Sequence, residues 1–324
     1  MVSNQPSLTP PAKGGELVPQ RFPDYQTVPE SVPNLPTFLV IGVAKAGTTA
    51  LYQHLKAHPG IFMAPVKEPN FFSFDAKKQD AIVTHLDDYR ALFEGIRDET
   101  AAGEASPRYF HSPEAPARIA ARIPEVRLVA LLRHPVERAY SHYLDMMNSG
   151  AFAPRPFAEV FREKASSVET WSREPFACYG FQLSFYHASL KRYFDVFPRE
   201  RIRVYLFEDY VAEPRAVLGD LYRFLGVDDG FVPDLETRHN PTHGVPRSAL
   251  LHKTVMRSNL LKTVAQKLLP QAVRRKVAGL LLRGLRTKKP ALSPALRDAF
   301  TAVYREDILK TQALIGRDLS LWLP

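Results

Sequence analysis

Phe38-Leu39-Val40-Ile41-Gly42-Val43-Ala44-Lys45-Ala46-Gly47-Thr48-Thr49 decides how the rest of the chain is read. Phe38 to Ile41 is a short apolar run rich in branched residues, closed by Gly42. That pattern predicts a fully buried strand of a parallel sheet. Thr48 or Thr49 is expected to cap the helix that follows, with Leu51, Leu55 and His58 on one face and Pro59 as its stop. Between strand and helix, Ala46 and Gly47 let the backbone approach a ligand. Free amides and the helix dipole at this junction favour an anion. Lys45 adds a full positive charge, and the threonines add donors. Taken alone, such a loop is equally well a plain strand–helix turn with a solvated lysine.

The same alternation recurs outward from this loop. Thr100–Glu104 is expected to be a strand and Pro113–Ile123 a helix. Arg127–Leu132 is a second strongly apolar strand, followed by a helix over Val136–Asn148. Leu183–Phe197 is expected to be helical, Ile202–Phe207 a third strand, and Pro214–Leu225 a helix. The end of the chain is expected to be a helix with a docked apolar tail of Leu319, Leu321, Trp322 and Leu323. The fold class is therefore α/β: a central parallel β-sheet flanked by helices, with a P-loop-like phosphate-binding strand-loop-helix. Residues 1–36 hold eight prolines and little apolar periodicity, which predicts an extended arm before one domain over 37–324.

Composition narrows the function. With 324 residues, 45% hydrophobic and 24% charged, the chain has ordinary globular composition and length for a sizeable core. No apolar run is long enough to span a membrane, and the N-terminus lacks the pattern of a signal peptide. A single cysteine, Cys178, excludes an internal disulfide framework and a cysteine-based zinc site, so a reducing cytoplasm is the expected compartment. The net charge of +9 is concentrated in one place: residues 251–290 hold eleven Lys or Arg and no acid. The remaining residues carry 32 basic against 34 acidic groups, so the overall charge gives no reason to expect nucleic-acid binding.

The loop is not the nucleotide-triphosphatase kind. That loop needs lysine directly after its last glycine, then Ser or Thr for magnesium. Here Thr48 follows Gly47, and Leu131-Leu132-Arg133 ends the second apolar strand where a magnesium-binding Asp would stand. A P-loop nucleotide kinase is thus the weaker alternative, and a catalytically silent nucleotide or polyanion binder is another. An anion held without metal by backbone, Lys and Arg fits the residues better.

Phe38 to Phe72 resembles the start of sulfotransferases that use 3′-phosphoadenosine 5′-phosphosulfate (PAPS), most closely the heparan-type and related bacterial branch. The resemblance continues through Glu104-Ala105-Ser106-Pro107-Arg108-Tyr109-Phe110 and through Leu131-Leu132-Arg133-His134-Pro135-Val136-Glu137-Arg138-Ala139-Tyr140-Ser141. It returns at Val245-Pro246-Arg247-Ser248 and in Asp318-Leu319-Ser320-Leu321-Trp322-Leu323, so the ordered set covers about residues 36–324. It implies PAPS as co-substrate, adenosine 3′,5′-bisphosphate as product, no metal, and a hydroxyl or amine acceptor.

The resemblance also assigns residues. Lys45 matches the lysine at the bridging oxygen of the phosphosulfate, and Ala46, Gly47, Thr48 and Thr49 fall in the loop that holds that group. Arg133 and Ser141 match contacts to the 3′-phosphate, and Arg247 matches a late basic residue that closes over the nucleotide, flanked by a lid-like loop, His239–Gly244. Glu68, in Lys67-Glu68-Pro69-Asn70-Phe71-Phe72, matches the catalytic base. His111, His134 and His142 are the alternative bases. One departure stands out: Ala105 occupies the place where heparan enzymes carry a lysine.

The basic stretch has apolar residues at helical spacing, with Pro270 dividing two amphipathic pieces. It is expected either to form a helical hairpin with solvated charges or to meet an anionic membrane surface or a polyanionic acceptor. The expected localisation is accordingly cytoplasmic, with a membrane-peripheral variant.

Overall fold

The computed structural model describes residues 34–73, 83–149, 155–165, 180–236 and 291–324. The arm up to residue 33, Cys178, the 239–244 loop, Arg247 and the basic stretch 251–290 lie outside the described residues. Five strands form one parallel sheet: β1 (Phe38–Gly42), β2 (Ile61–Met63), β3 (Ala101–Ala105), β4 (Arg127–Leu132) and β5 (Ile202–Leu206), in the order β2-β3-β1-β4-β5.

The sheet follows from its composition. β1 is buried along its whole length and β4 from Leu128 onward, as near-continuous apolar runs must be when helices cover both faces. Register sets the geometry of the site: Val40 lies opposite Ala105 of β3 and Val129 of β4. β3 therefore ends level with Val40, β1 runs two residues further and β4 three residues past Val129, so the carboxyl edge steps up from β3 to β4. Loops 42–47, 106–108 and 133–134 leave the sheet side by side, the edge at which open α/β sheets bind ligands.

The covering helices are α1 (Thr48–Ala57), α2 (Leu86–Ala91), α3 (Ala115–Arg122), α4 (Pro135–Ser149), α5 (Phe157–Ala165), α6 (His187–Phe194), α7 (Phe207–Ala212), α8 (Pro214–Leu225) and α9 (Pro294–Ile315). In the core beside α4, Phe161 of α5 stacks on Phe300 of α9 with ring centroids 4.0 Å apart. Phe157 packs edge-on against Phe300, and Phe181 packs tilted against Phe161 and edge-on against Phe157. Such aromatic contacts add about 0.5–1.5 kcal/mol beyond area burial. No described helix is long and apolar enough to cross a membrane.

Several sequence expectations need correction. The cap of α1 is Gly47, not Thr48 or Thr49: both threonines are already helical, and Gly47 takes a left-handed φ of 94° that only glycine adopts cheaply. Leu183–Phe197 is not one helix. A 3₁₀ turn over Phe181–Ser184 precedes α6, whose first turn is held by Asp307 of α9: its carboxylate accepts from Tyr186 N at 2.6 Å and His187 N at 3.2 Å. Ile202–Phe207 stops as a strand at Leu206, because Phe207 opens α7. In the tail, Leu319 and Trp322 are fully buried but Leu321 is exposed.

Candidate active site

The loop after β1 is fastened to its neighbour before it turns. Val43 N donates to Leu131 O of β4 at 2.9 Å, and Ala46 N closes a turn onto Val43 O at 3.1 Å. Two left-handed residues, Lys45 (φ 73°) and Gly47, then swing the chain into α1. Leu51 N bonds Gly47 O, so by helical geometry the Thr48, Thr49 and Ala50 amides have no partner within the helix. They point out of a helix N-terminus, which carries about half a positive charge. Gly47 is required twice over. Its φ is positive, and a Cβ there would lie 2.9 Å from ring atoms of Phe207.

Arg133, directly after β4, is tied to this loop. Its Nη1 donates to the Lys45 carbonyl at 3.1 Å, and its guanidinium lies 4.7 Å from the Phe207 ring centroid. Glu137, one turn on, sits 3.6 Å from Nη2. The Arg133 side chain is only 14% exposed, and burial pushes its pKa down from the usual arginine value. The Arg133 carbonyl accepts from Tyr186 Oη at 2.8 Å. Lys45 and Arg133 are therefore adjacent at one sheet edge. Ser141 lies two turns into α4 and is buried.

Glu68 hangs from the same edge. Its amide donates to Ala105 O at 3.0 Å, at the last residue of β3. Asn70 N then donates to Ser106 Oγ at 3.1 Å, and Phe72 N to Tyr109 Oη at 3.4 Å. Alternate amides of 68–72 are thus held by 105–109. Glu68 and Asn70 are both left-handed, with φ of 63° and 57°. Such conformations cost non-glycine residues about 1–3 kcal/mol and persist where the surroundings dictate them. The Glu68 carboxylate is half exposed and accepts from Lys67 Nζ.

The three histidines are not presented as bases. His134 uses both ring nitrogens: Nδ1 accepts from Val136 N at 3.3 Å, so Nε2 is the donor to Trp322 O at 3.1 Å. His111 is held by Ser189 Oγ at 3.2 Å, and His142 is nearly buried. Burial, aided by nearby arginines, pushes all three down to about 3, so each is neutral and weakly basic.

Two residues escaped the sequence reading. Glu104 is fully buried in β3; Tyr89 Oη donates to its Oε1 at 3.3 Å while Oε2 has no partner. Burial raises its pKa to about 7, against the lowering effects of Tyr109, Ser106, Tyr89 and Lys67. The signal was a lone carboxylate inside an apolar strand. The second is Arg138, a fully buried guanidinium in α4.

The sequence profile of the sulfotransferase domain matches residues 35–312. Among curated proteins, human heparan sulfate glucosamine 3-O-sulfotransferase 3B1 is 28% identical over 258 residues, 74% of this chain and 62% of that protein. Human heparan sulfate glucosamine 3-O-sulfotransferase 6 is 31% identical over 212 residues, 65% of this chain and 58% of that protein. The chain thus spans about half to three-fifths of the length of these relatives. The crystal structure of a sulfotransferase from Alicyclobacillus acidocaldarius superposes with a TM-score of 0.64 at 29% identity, covering 89% of this chain and 98% of that one.

Proposed function

The chain belongs to the sulfotransferase family, and from that premise we propose that it moves sulfuryl from PAPS to a hydroxyl or amine acceptor, releasing adenosine 3′,5′-bisphosphate. The observation that carries the nucleotide half is the 3.1 Å bond from Arg133 Nη1 to the Lys45 carbonyl. It places a strand-end arginine beside the loop, as a ligand with two separated anionic ends requires. The left-handed turn at Gly47, backed by Phe207, and the unpaired first amides of α1 suit an anion at the helix N-terminus.

The bound donor supplies an electrophilic sulfur and an anionic leaving group. Lys45, with the Gly47, Thr48 and Thr49 amides, holds that leaving end; one such preorganised donor contributes about 3–4 kcal/mol to a transition state. Arg133 offers a planar fork to the 3′-phosphate, with the Ser141 hydroxyl and, outside the described residues, Arg247. Glu68 accepts the acceptor's proton, a role worth about 10²–10⁴-fold. The side chains supply the positive charge that magnesium provides in nucleotide hydrolases.

Relatives named for heparan sulfate support a glycan hydroxyl as the first acceptor to test. The basic stretch 251–290 supports contact with an anionic surface, read by flotation on anionic against neutral vesicles at low salt. The decisive experiment is transfer of labelled sulfate from PAPS to glycan, phenol, lipid and carrier-bound acceptors, with Lys45→Ala as control. Labelling of no acceptor, or equal labelling by the control, overturns the proposal. Adenosine 3′,5′-bisphosphate without magnesium should raise Tm through mass action, and ATP with magnesium should do little. The reverse order favours a kinase.

A further inference from the structure

Arg138 is a buried cation that the chemistry above leaves unused. It lies in the first turn of α4, fully enclosed. Its Nε donates to Ser184 Oγ at 2.6 Å, its Nη2 donates to the Gly180 carbonyl, and its Nη1 lies 3.5 Å from the Ala44 carbonyl. Ser184 passes its own proton to Pro135 O at 2.8 Å, so it is an acceptor toward the arginine. Every partner is neutral. Among the described residues no carboxylate reaches ion-pair distance, and the ionisable groups that bear on Arg138 are Tyr186, Tyr304 and a second cation, Arg133.

An enclosed guanidinium without a counter-ion is expensive, and arginine cannot escape the cost by losing its proton. Its neighbour His142 cannot serve as a counter-ion, and burial with the Arg138 and Lys45 charges keeps that ring neutral. A positive charge is therefore fixed behind the loop. Its direction is set as well. Arg138 faces the Ala44 carbonyl and Arg133 binds the next one, Lys45 O. In a planar trans peptide the following N–H points the opposite way from the carbonyl, so the Lys45 amide is turned away from Arg138.

We propose that Arg138 is a positioning residue for the phosphosulfate-binding loop: it orients the Ala44 peptide from behind, and its charge is balanced only when the 5′-anion of the nucleotide arrives. This rests on the donor reading above, and the test separates the two. Dissociation constants are measured by calorimetry for adenosine 3′,5′-bisphosphate and for adenosine 3′-monophosphate, which lacks the 5′-phosphate. In the wild-type protein the bisphosphate should bind the more tightly. In Arg138→Gln the ratio of the two constants should shrink at least tenfold, while Arg138→Lys, which keeps the charge, should hold it within threefold. A merely loosened fold weakens both ligands alike; an unchanged ratio in Arg138→Gln therefore overturns the proposal. If that variant does not fold, Arg138→Lys and Ser184→Ala decide: a tenfold collapse of the ratio in either, with the charge still present, is equally fatal. A wild-type ratio of one overturns the nucleotide reading itself, and the proposal with it.

Discussion

Lys45 Nζ lies 3.2 Å from Asp145 Oδ1, so the loop lysine is paired with a carboxylate of α4. Asp145 is 59% exposed, and a surface pair of this kind is worth at most about 1 kcal/mol. The pair matters more for what it opposes. An incoming phosphate must share Lys45 with a negative charge beside it, at a cost of about 1 kcal/mol in water-like surroundings. Asp145→Asn should therefore tighten adenosine 3′,5′-bisphosphate binding about threefold and leave Tm nearly unchanged. Calorimetry and a melting curve check both; weaker binding would show that Asp145 supports the lysine instead of competing for it.

The backbone of Glu68 is held independently of its carboxylate, which pairs with Lys67: its amide on Ala105 O and its left-handed φ survive a change of side chain to a similar shape. Glu68→Gln should therefore keep the segment in place while removing the proton acceptor. Transfer should fall at least about 10²-fold, with affinity for adenosine 3′,5′-bisphosphate within threefold of wild type. Turnover near the wild-type rate would return the role to another group. The neutral, enclosed His111, His134 and His142 are poorly suited to take it.

What sequence could reveal here divides by range. β4 was legible to the residue, and β1 nearly so, because a strand covered on both faces must be an unbroken apolar run. Ile61–Met63 was not, since three residues carry no period. The break before α6 was invisible because its cause, the Asp307 carboxylate, is 120 residues away. The loop was recognisable by its small residues and lysine. The charges around it were not: Arg138 and Asp145 reach the loop only through the packing of α4 beside it.

Glu104 should make stability depend on pH. Its folded pKa, raised to about 7 chiefly by burial, stands above the ordinary carboxylate value of 4.5. The folded state thus binds the proton more tightly than the unfolded one. Stability is fully present below about pH 4.5, falls as pH rises toward 7, and is flat beyond. At about 1.4 kcal/mol per unit the loss is on the order of 3 kcal/mol. Glu104→Gln, neutral at every pH, should flatten this slope and melt higher than wild type at pH 8. Tm measured from pH 5 to 8 for both proteins checks it; parallel curves would mean that the carboxyl is already ionised in the fold, stabilised by Lys67.

Gly47→Ala tests whether the loop shape itself is the binding site. The added methyl must adopt a φ of 94° and would lie 2.9 Å from the Phe207 ring, closer than real contacts allow. Strain of this kind costs about 1–3 kcal/mol. The ring cannot retreat freely, because Arg133 lies against it. Relief must come from moving the loop or Phe207, and either motion disturbs the bond from Arg133 to the Lys45 carbonyl. The variant should therefore lose stability by about 1–3 kcal/mol and bind adenosine 3′,5′-bisphosphate at least tenfold more weakly. A second substitution, Phe207→Leu, makes room for the methyl. If the double variant recovers stability but not affinity, the binding depends on the loop's left-handed path and not on the packing beneath it. If it recovers both, the glycine serves only to admit the ring.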